Sequence, residues 1–539
     1  MAMKDRHEHT IGGGGIEGGS VSLWMDTADA LELPPLSEHL HTQTCIVGAG
    51  IAGLTTAYRL AKLGTAVVVL DEHGLYGGQT ARTTGHLCSA LDDRYFELEA
   101  LHGIDRARLA AQSHATAIDT IEDICRLESI DCDFRRIDGY LVQGRGDERA
   151  GILDREYDAT LRAGLDCERV PGAPGALAVF GDALRFRDQG QFHGLRYLDG
   201  LARAVMRWGG QLYRARASTV DGDDDTGVTT DRGLRINSDT VVVATHVPFN
   251  DRLMMHTKQA AYRTYVIAAR VDDGAVPAAL LWDTLDPYHY VRLARERGAT
   301  WLIVGGEDRK VGQDDAPEAH FGELERWTRE YFPMANGIGY RWSGQIIEPI
   351  DSLAFIGRNP GRTRNVYIAT GDSGNGLTHG TIAGLLLADQ ISGRVSTGHD
   401  PAWTELYAPE RKTLRAADEF LKENLNFVPF YGERLSGGDI DDPARLANGE
   451  AAIVREGLHK IAAWRDEDGA LHVHSAVCPH LGCVVHWNAV ECSWDCPCHG
   501  SRFDPRDGSR LNGPADHGLA PAYLARRPGQ HEIRPPAPL

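Results

Sequence analysis

At 539 residues the chain exceeds what one hydrophobic core serves and is long enough for roughly two or three domains. Its 56 lysines and arginines against 76 aspartates and glutamates leave a formal charge of −20. That lacks the basic footprint that nucleic acid or an anionic membrane surface demands, so neither is expected as a partner.

Residues 1–39 read as an N-terminal tail and lead-in. The first 19 carry scattered charges and then a glycine run, without the apolar core of a signal peptide, and are expected to be floppy. The longest apolar runs, 65–70 and 240–245, are strand-length and far short of the ~20 residues of a membrane span. The expectation is a cytoplasmic protein with no membrane span. Of the ten cysteines, Cys45, Cys88, Cys125, Cys132 and Cys167 show no disulfide-framework spacing and are expected to be reduced core thiols.

Residues 45–47 read as a buried strand. Gly48-Ala-Gly50-Ile-Ala-Gly53 follows, then a helical run to Leu63 and a second buried strand over 67–70 that ends at Asp71. Gly48 suits the tight turn, Gly50 lets the backbone approach a pyrophosphate, and Gly53 allows close helix–strand packing. The helix N-terminus offers its unpaired N–H groups to phosphates, and Asp71 can accept from a ribose hydroxyl. The alternative is an ordinary βαβ turn. A pyridine-nucleotide flavoenzyme of the ferredoxin-reductase type would carry a second such fingerprint, and none is found. Residues 240–245 form an apolar strand followed by His246-Val-Pro248, without a glycine loop. One dinucleotide site is expected, and it is assigned to FAD.

Gly77-Gly-Gln79-Thr80-Ala-Arg82-Thr-Thr84-Gly-His86-Leu87 follows the second strand. Residues 105–129 look helical, with Leu109, Ile118, Ile121 and Ile124 near helical spacing. Further on, Trp282-Asp-Thr-Leu-Asp-Pro-Tyr288-His289-Tyr290-Val-Arg292 is strongly aromatic, and 301–307 reads as a strand. Alternation places Tyr288, Tyr290 and Arg292 on one face and His289 on the other. Tyr288 and Tyr290 are catalytic candidates, with Arg292 holding a substrate carboxylate. The alternative is an aromatic core ladder with a surface arginine. Residues 365–380 include Gly371-Asp-Ser-Gly374-Asn375-Gly376-Leu377-Thr378-His379-Gly380, a glycine loop leading into a helix over 381–391. The positive end of that helix can stabilise negative charge on a reduced flavin, unless the loop serves packing alone.

The segments 77–87, 244–246, 342–357 and 365–380 together resemble the D-amino-acid-oxidase-like flavoproteins, the group of glycine, sarcosine and γ-glutamylputrescine oxidases, over about 40–395. The resemblance implies an α/β FAD-binding domain of Rossmann type with an α+β substrate part. FAD-binding pieces would lie at about 40–95, 190–255 and 336–395, and substrate-binding pieces at about 96–189 and 256–335. To Gly48, Gly50, Gly53 and Asp71 it adds Gln79, Thr80, Thr84, His86, Gly371, Gly374, Asn375, Gly376, Leu377 and Thr378 as FAD contacts. His86 could be a covalent attachment point, a flavin hydrogen-bond partner or a satisfied structural histidine. His379 is a further catalytic candidate, by contact with flavin or substrate.

Residues 396–449 read as a connecting helix and linker. The helix is expected over 409–426, with Leu414, Phe420, Leu421 and Leu425 on an apolar face that clamps the join between domains. The stretch 429–449, rich in Gly, Asp and Pro, is linker. Residues 450–539 then form a small domain with short β runs at 451–454 and 471–473. The remaining five cysteines crowd between 478 and 498, which points to metal. Cys478-Pro-His480-Leu-Gly-Cys483 and Cys496-Pro-Cys498-His499-Gly-Ser501 each offer one Cys and one His. A Rieske [2Fe–2S] centre needs two thiolates on one iron and two imidazoles on the other, which Cys478, Cys496, His480 and His499 supply. The alternative is a Cys₂His₂ zinc site, whose usual spacings this segment does not match. Residues 445–520 resemble the Rieske proteins of cytochrome bc complexes. The resemblance implies a small all-β domain, a disulfide between Cys483 and Cys498, a shielding loop at Gly513-Pro-Ala515, and a hydrogen bond from Ser501 toward a cluster sulfur. That family carries Tyr where this chain has Phe503, which implies a lower cluster potential.

FAD takes two electrons as a hydride, and a [2Fe–2S] cluster passes one at a time. Their pairing suggests a dehydrogenase that hands electrons from FAD through the cluster to an external acceptor, a ferredoxin-like protein or a quinone. The resemblance implies an amine or amino-acid substrate oxidised at its C–N bond. The alternatives are a Rieske-fed flavin reductase or monooxygenase with electrons flowing inward, and a non-catalytic electron-transfer or redox-sensing module.

Overall fold

The computed structural model describes residues 19–29, 31–149, 151–250, 255–314, 316–361, 364–394 and 400–523. The expected floppy tail thus lies outside the described residues, apart from Gly19. Strands Leu40–Val47, Val67–Asp71 and Arg235–Val243 are runs of apolar and β-branched residues buried along most of their length, as parallel strands covered on both faces require. They pair in parallel, with Val47 opposite both Leu70 and Val243, so their carboxyl ends finish level. Gln211–Arg214 extends this eight-stranded sheet on one side, and Val366–Thr370 with Phe355–Arg358 on the other. Helices Ile51–Lys62 and Gly376–Ser392 cover one face, both starting at the carboxyl-end edge where an open α/β sheet places its ligand. The second helix begins five residues before the expected 381, so Leu377–Gly380 are helical rather than loop.

A nine-stranded mixed sheet forms the other layer. Its strands include Gln259–Val271, His289–Glu296, Ala299–Lys310 and Asn336–Pro349, and helices Ile104–Glu128 and Pro317–Tyr331 flank it. The expected helix over 105–129 is present. The one over 409–426 is shorter and faces differently: a 3₁₀ turn at Leu414–Ala416 leads into helix Ala417–Asn426. Leu421 and Leu425 are 56% and 57% exposed. The helix attaches by its polar side instead. Glu423 pairs with Lys310 at 2.7 Å and Asn424 donates to the Thr257 carbonyl. The side chains of Leu414 and Phe420 lie outside what is described.

The C-terminal part holds two antiparallel sheets. Ala451–Glu456, His459–Arg465 and Leu471–Ser475 make one; His486–Asn488, Ser493–Asp495, Arg502–Phe503 and Arg510–Asn512 make the other. Their core gathers Trp494, Phe503, Ala515 and the sulfurs of Cys478, Cys483, Cys496 and Cys498.

This part is docked on the flavin side by a buried charge cluster. Glu491 lies 3.3 Å from Arg82, 3.7 Å from Arg263 and 3.8 Å from Arg502, with Asp495 3.6 Å from Arg263 and 3.3 Å from Arg502. None of these side chains exceeds 3% exposure. A strap from the N-terminal segment closes over it. Ser20 donates to Glu491 at 2.6 Å, and Trp24, fully buried in the short helix Leu23–Thr27, donates to the Thr83 carbonyl. Burial alone would raise the Glu491 carboxyl, but Arg82, Arg263 and Arg502 hold it down at about 2.

Glu491→Gln takes the anionic partner from three buried guanidinium groups, and the expected loss is about 3–5 kcal/mol in urea unfolding. A depressed carboxyl stabilises the fold above its ordinary pKa of 4.5, and that stability is lost as pH falls toward about 2. The acid limb of the stability profile should therefore be shallower in the variant. An unchanged midpoint and an unchanged acid limb would contradict the assignment.

Candidate functional site

One long cavity runs along the carboxyl ends of the parallel strands. Gly48, at φ +106°, makes the first turn against the Ala244 carbonyl, which a Cβ there would meet at 2.3 Å. Gly50 caps helix Ile51–Lys62 and Asn375 caps helix Gly376–Ser392, neither with a side-chain capping bond. Two helix N-termini thus present unsatisfied N–H groups and positive dipole ends to the cavity. Asp71 accepts from Ala49 N–H at 2.7 Å and from His73 N–H at 2.9 Å, so its carboxylate also braces the glycine turn. Gln79, Thr80, Thr84, His86, Gly371, Gly374, Asn375, Gly376, Leu377 and His379 all reach the cavity wall with them.

Two of the expected contacts do not line the cavity. Gly53 sits beneath the turn, where a Cβ would lie 1.9 Å from the Gly48 carbonyl. Thr378 turns inward and pairs with His114 Nδ1 at 2.8 Å, because the early helix start rotates it away from the wall. Two histidines on the wall, His86 and His379, are neutral. Burial lowers His86 to about 3 and His379 to about 4. His379 Nδ1–H donates to the Asp372 carbonyl, which leaves Nε2 as an acceptor. His379 Nε2, Gln79 Nε2 and His246 Nε2 are buried without a hydrogen-bond partner among the described residues. Such orphans are what a polar cofactor in the cavity would satisfy. The site fits a dinucleotide.

At the far end Tyr288 and Tyr290 come together, with ring centroids 5.4 Å apart, beside Trp282, His86 and Asp92. His289 points to the opposite side as expected, stacked on Trp327 and paired with Asp283 at 2.9 Å. Arg292 corrects the expectation. It is 2% exposed and off the cavity wall. Its Nη1 donates to the carbonyls of Thr84 (3.0 Å), Gly85 (2.6 Å) and Phe192 (3.1 Å), so the guanidinium staples backbone and holds no carboxylate. Behind the tyrosines, Ser373 Oγ lies 2.6 Å from Asp93 and 2.8 Å from Glu348, a buried acid pair whose carboxyls desolvation raises.

The two Cys/His loops face each other at the edge of the C-terminal sheets. Cys478 and Cys496 hydrogen-bond through their sulfurs, and the His480 and His499 rings stand perpendicular at 4.9 Å. Backbone N–H groups of His480 and Leu481 and the Ser501 hydroxyl address the Cys478 sulfur, and those of Cys498 and His499 address Cys496. Cys483 and Cys498 form a disulfide that ties the loops together. His499 Nδ1 is buried without a hydrogen-bond partner among the described residues. Two sulfurs and two imidazoles therefore converge, as a two-iron cluster requires.

The loops also reach the cavity. Gln345 Nε2 donates to the Gly500 carbonyl at 2.9 Å, and Gln345 N–H donates to Gln79 Oε1 at 2.7 Å. Gln345 lines the cavity, as do Arg510, Leu511, Asn512 and Gly513. A Cβ at Gly500 would lie 2.4 Å from Ala261 Cβ and 2.6 Å from Gln345 Nε2, so only glycine permits the approach. The cluster histidines are covered from the flavin side by His256, 5.0 Å from His480 and 6.4 Å from His499. Sequence reasoning missed Glu72, Asp92 and Gln345. Glu72 lies on the cavity wall and bridges Arg216 (2.8 Å) and Arg510 (3.4 Å). The available signals were two acidic pairs, Asp71-Glu72 and Asp92-Asp93, each just beyond a flavin-side motif.

Residues 43–390 match the family model of the FAD dependent oxidoreductases, and 439–523 match that of the Rieske [2Fe-2S] domain. The chain is 29% identical over 500 residues to the Rieske 2Fe-2S iron-sulfur protein YhfW of Bacillus subtilis, covering 92% of this chain and 96% of that one. It is 25% identical over 375 residues to the gamma-glutamylputrescine oxidoreductase of Escherichia coli, covering 66% and 85%. Glycine oxidase from Geobacillus kaustophilus shares the fold, with TM-score 0.57 at 18% identity over 69% of this chain and 99% of that one. FAD and a [2Fe–2S] cluster are the cofactors.

Proposed function

The chain belongs to the FAD dependent oxidoreductase family, and from that premise we propose that it is a dehydrogenase that oxidises the C–N bond of an amine or amino acid and sends the electrons through its Rieske centre to an external acceptor. Bound in their sites, FAD supplies hydride acceptance and the cluster supplies one-electron transfer. The observation that carries the proposal is the Gln345 bridge, which joins the loop of Cys496 and His499 to the cavity wall by one hydrogen bond. No docking step is needed between the two cofactor sites.

The two helix ends without side-chain caps would hold the anionic groups of FAD, the first suited to the pyrophosphate and the second to negative charge on a reduced flavin. His379 Nε2 would be free to accept a hydrogen bond from the cofactor. Tyr288, Tyr290 and Trp282 exclude water from the substrate end and orient the substrate carbon. Around the cluster, Cys478 and Cys496 hold one iron and His480 and His499 the other. The N–H groups at residues 480, 481, 498 and 499 and the Ser501 hydroxyl stabilise charge on the sulfurs. The likeness to the gamma-glutamylputrescine oxidoreductase supports the substrate class.

Anaerobic mixing with a panel of amines and amino acids should bleach the flavin and then develop the Rieske electron-paramagnetic signal. NADH and NADPH should do neither at a useful rate, because the chain carries a single dinucleotide fingerprint. Rapid bleaching by either nucleotide would support inward electron flow instead, and a flavin inert to every reductant would support a sensing module.

His480→Ala or Cys496→Ser should abolish the Rieske signal while flavin absorbance at the FAD site persists. Survival of the signal in either variant would show that the ligand assignment is wrong.

A further inference from the structure

The substrate end of the cavity has a charge balance that the dehydrogenase reading leaves unused. Asp92 is half-buried and lies on the cavity wall. Among the described residues its carboxylate accepts one hydrogen bond, from Tyr288 Oη to Oδ2 at 2.9 Å. It is pressed against the glycine loop over the flavin end: a Cβ on Gly374 would meet Asp92 Oδ2 at 2.0 Å and Tyr288 Oη at 3.5 Å. The other oxygen, Oδ1, is left for what enters.

Among the described residues, the arginines on the wall are spent elsewhere, Arg82 on Glu491 and Arg510 on Glu72. His86 is neutral, its Nδ1 paired with Thr84 Oγ1 at 2.9 Å and its Nε2 with the Val291 carbonyl at 3.3 Å. Arg292 is committed to three backbone carbonyls. Arg94, the nearest charge in sequence, is off the wall and sends Nη2 to the Asp283 carbonyl at 2.9 Å. Burial raises the Asp92 carboxyl, and Arg94 and the Tyr288 hydroxyl offset part of that rise, Arg94 only through its field. Asp93 and Asp308, whose carboxyls burial raises to about 7, bring further acid groups and no cation to this end. The rest of the pocket is aromatic. Tyr290, held by Thr264 at 2.7 Å, and Tyr288 offer π faces.

We propose that this end of the cavity selects a cationic amine that carries no carboxylate on its amine-bearing carbon, with Asp92 as the residue that anchors the ammonium group. The proposal rests on the amine or amino-acid reading of the same site and chooses between its two halves. An ammonium group donates a charge-assisted hydrogen bond to the Asp92 carboxylate and lies against the Tyr288 and Tyr290 rings. A carboxylate on the same carbon is forced beside Asp92 and buried without a counter-charge, which is unfavourable on both counts.

The test compares matched pairs on the FAD-loaded full chain: propylamine with 2-aminobutanoate, butylamine with norvaline, and hexylamine with 2-aminoheptanoate. Binding is read anaerobically by calorimetry and by perturbation of the flavin spectrum. Each amine should bind tighter than its carboxylated partner by on the order of tenfold or more. Asp92→Asn should weaken amine binding by on the order of tenfold to a hundredfold and leave the amino acids unchanged or improved. Its FAD content and melting temperature report folding, and the wild-type comparison needs no variant. If no amine binds more tightly than its partner, the inference is overturned. Amino acids that bind well, bleach the flavin and reduce the cluster would overturn it while leaving the electron route intact. Amines that bind through Asp92 without bleaching the flavin would uphold it and count against the route.

Discussion

The carboxylate of Glu491, shared among the guanidinium groups of Arg82, Arg263 and Arg502, is the interaction on which the arrangement of the two cofactor sites depends. A buried anion of this kind is unfavourable unless paired, and here Ser20 and Ser343 both donate to its Oε1 while the arginines surround it. Two of the three arginines come from the flavin side and one from the cluster side. Undocking would therefore leave unpaired charges on both surfaces. That asymmetry makes the interface a fixed joint, and it explains why backbone can be brought together so closely at Gly500 and Ala261.

The cavity shows a second consistent choice. The backbone offers positive potential to FAD through two helix N-termini, while His86 and His379 are kept neutral by burial. Acidic side chains line both ends, but Glu72 is paired with Arg216 and Arg510, whereas Asp92 has no arginine hydrogen-bonded to it among the described residues. On the proposed reading, one cavity would receive an anionic cofactor at one end and a cationic amine at the other without the two demands conflicting.

Much of this is legible in the sequence where chemistry demands a rare residue at a fixed spacing. The glycines at 48, 50 and 53 and the Cys/His loops at 478–480 and 496–499 are such places, and their strands and turns follow. Periodicity alone does less. Alternation puts Arg292 on the same face as Tyr288 and Tyr290, but it does not say how far along the strand the cavity ends. Arg292 lies past that end, under the carbonyls of Thr84 and Gly85. Helical spacing groups Leu421 and Leu425, yet the helix is held by Glu423 and Asn424, because its neighbour offers Lys310 and a carbonyl rather than an apolar groove. The Glu491 cluster has no local pattern at all. Its members come from residues 20, 82, 263, 343, 491, 495 and 502, which only the tertiary structure assembles.

The most direct test of the fixed joint is the rate of internal electron transfer in the holoenzyme, measured by flash reduction of the flavin and the appearance of reduced cluster, in buffers of rising viscosity. Domain rearrangements proceed on the microsecond-to-millisecond scale and slow as the solvent thickens. With the cluster loop already bonded to the cavity wall through Gln345, the predicted rate does not change with viscosity. A rate that falls in proportion to viscosity would show that the Rieske part must move before it can accept an electron, and would contradict the docked arrangement.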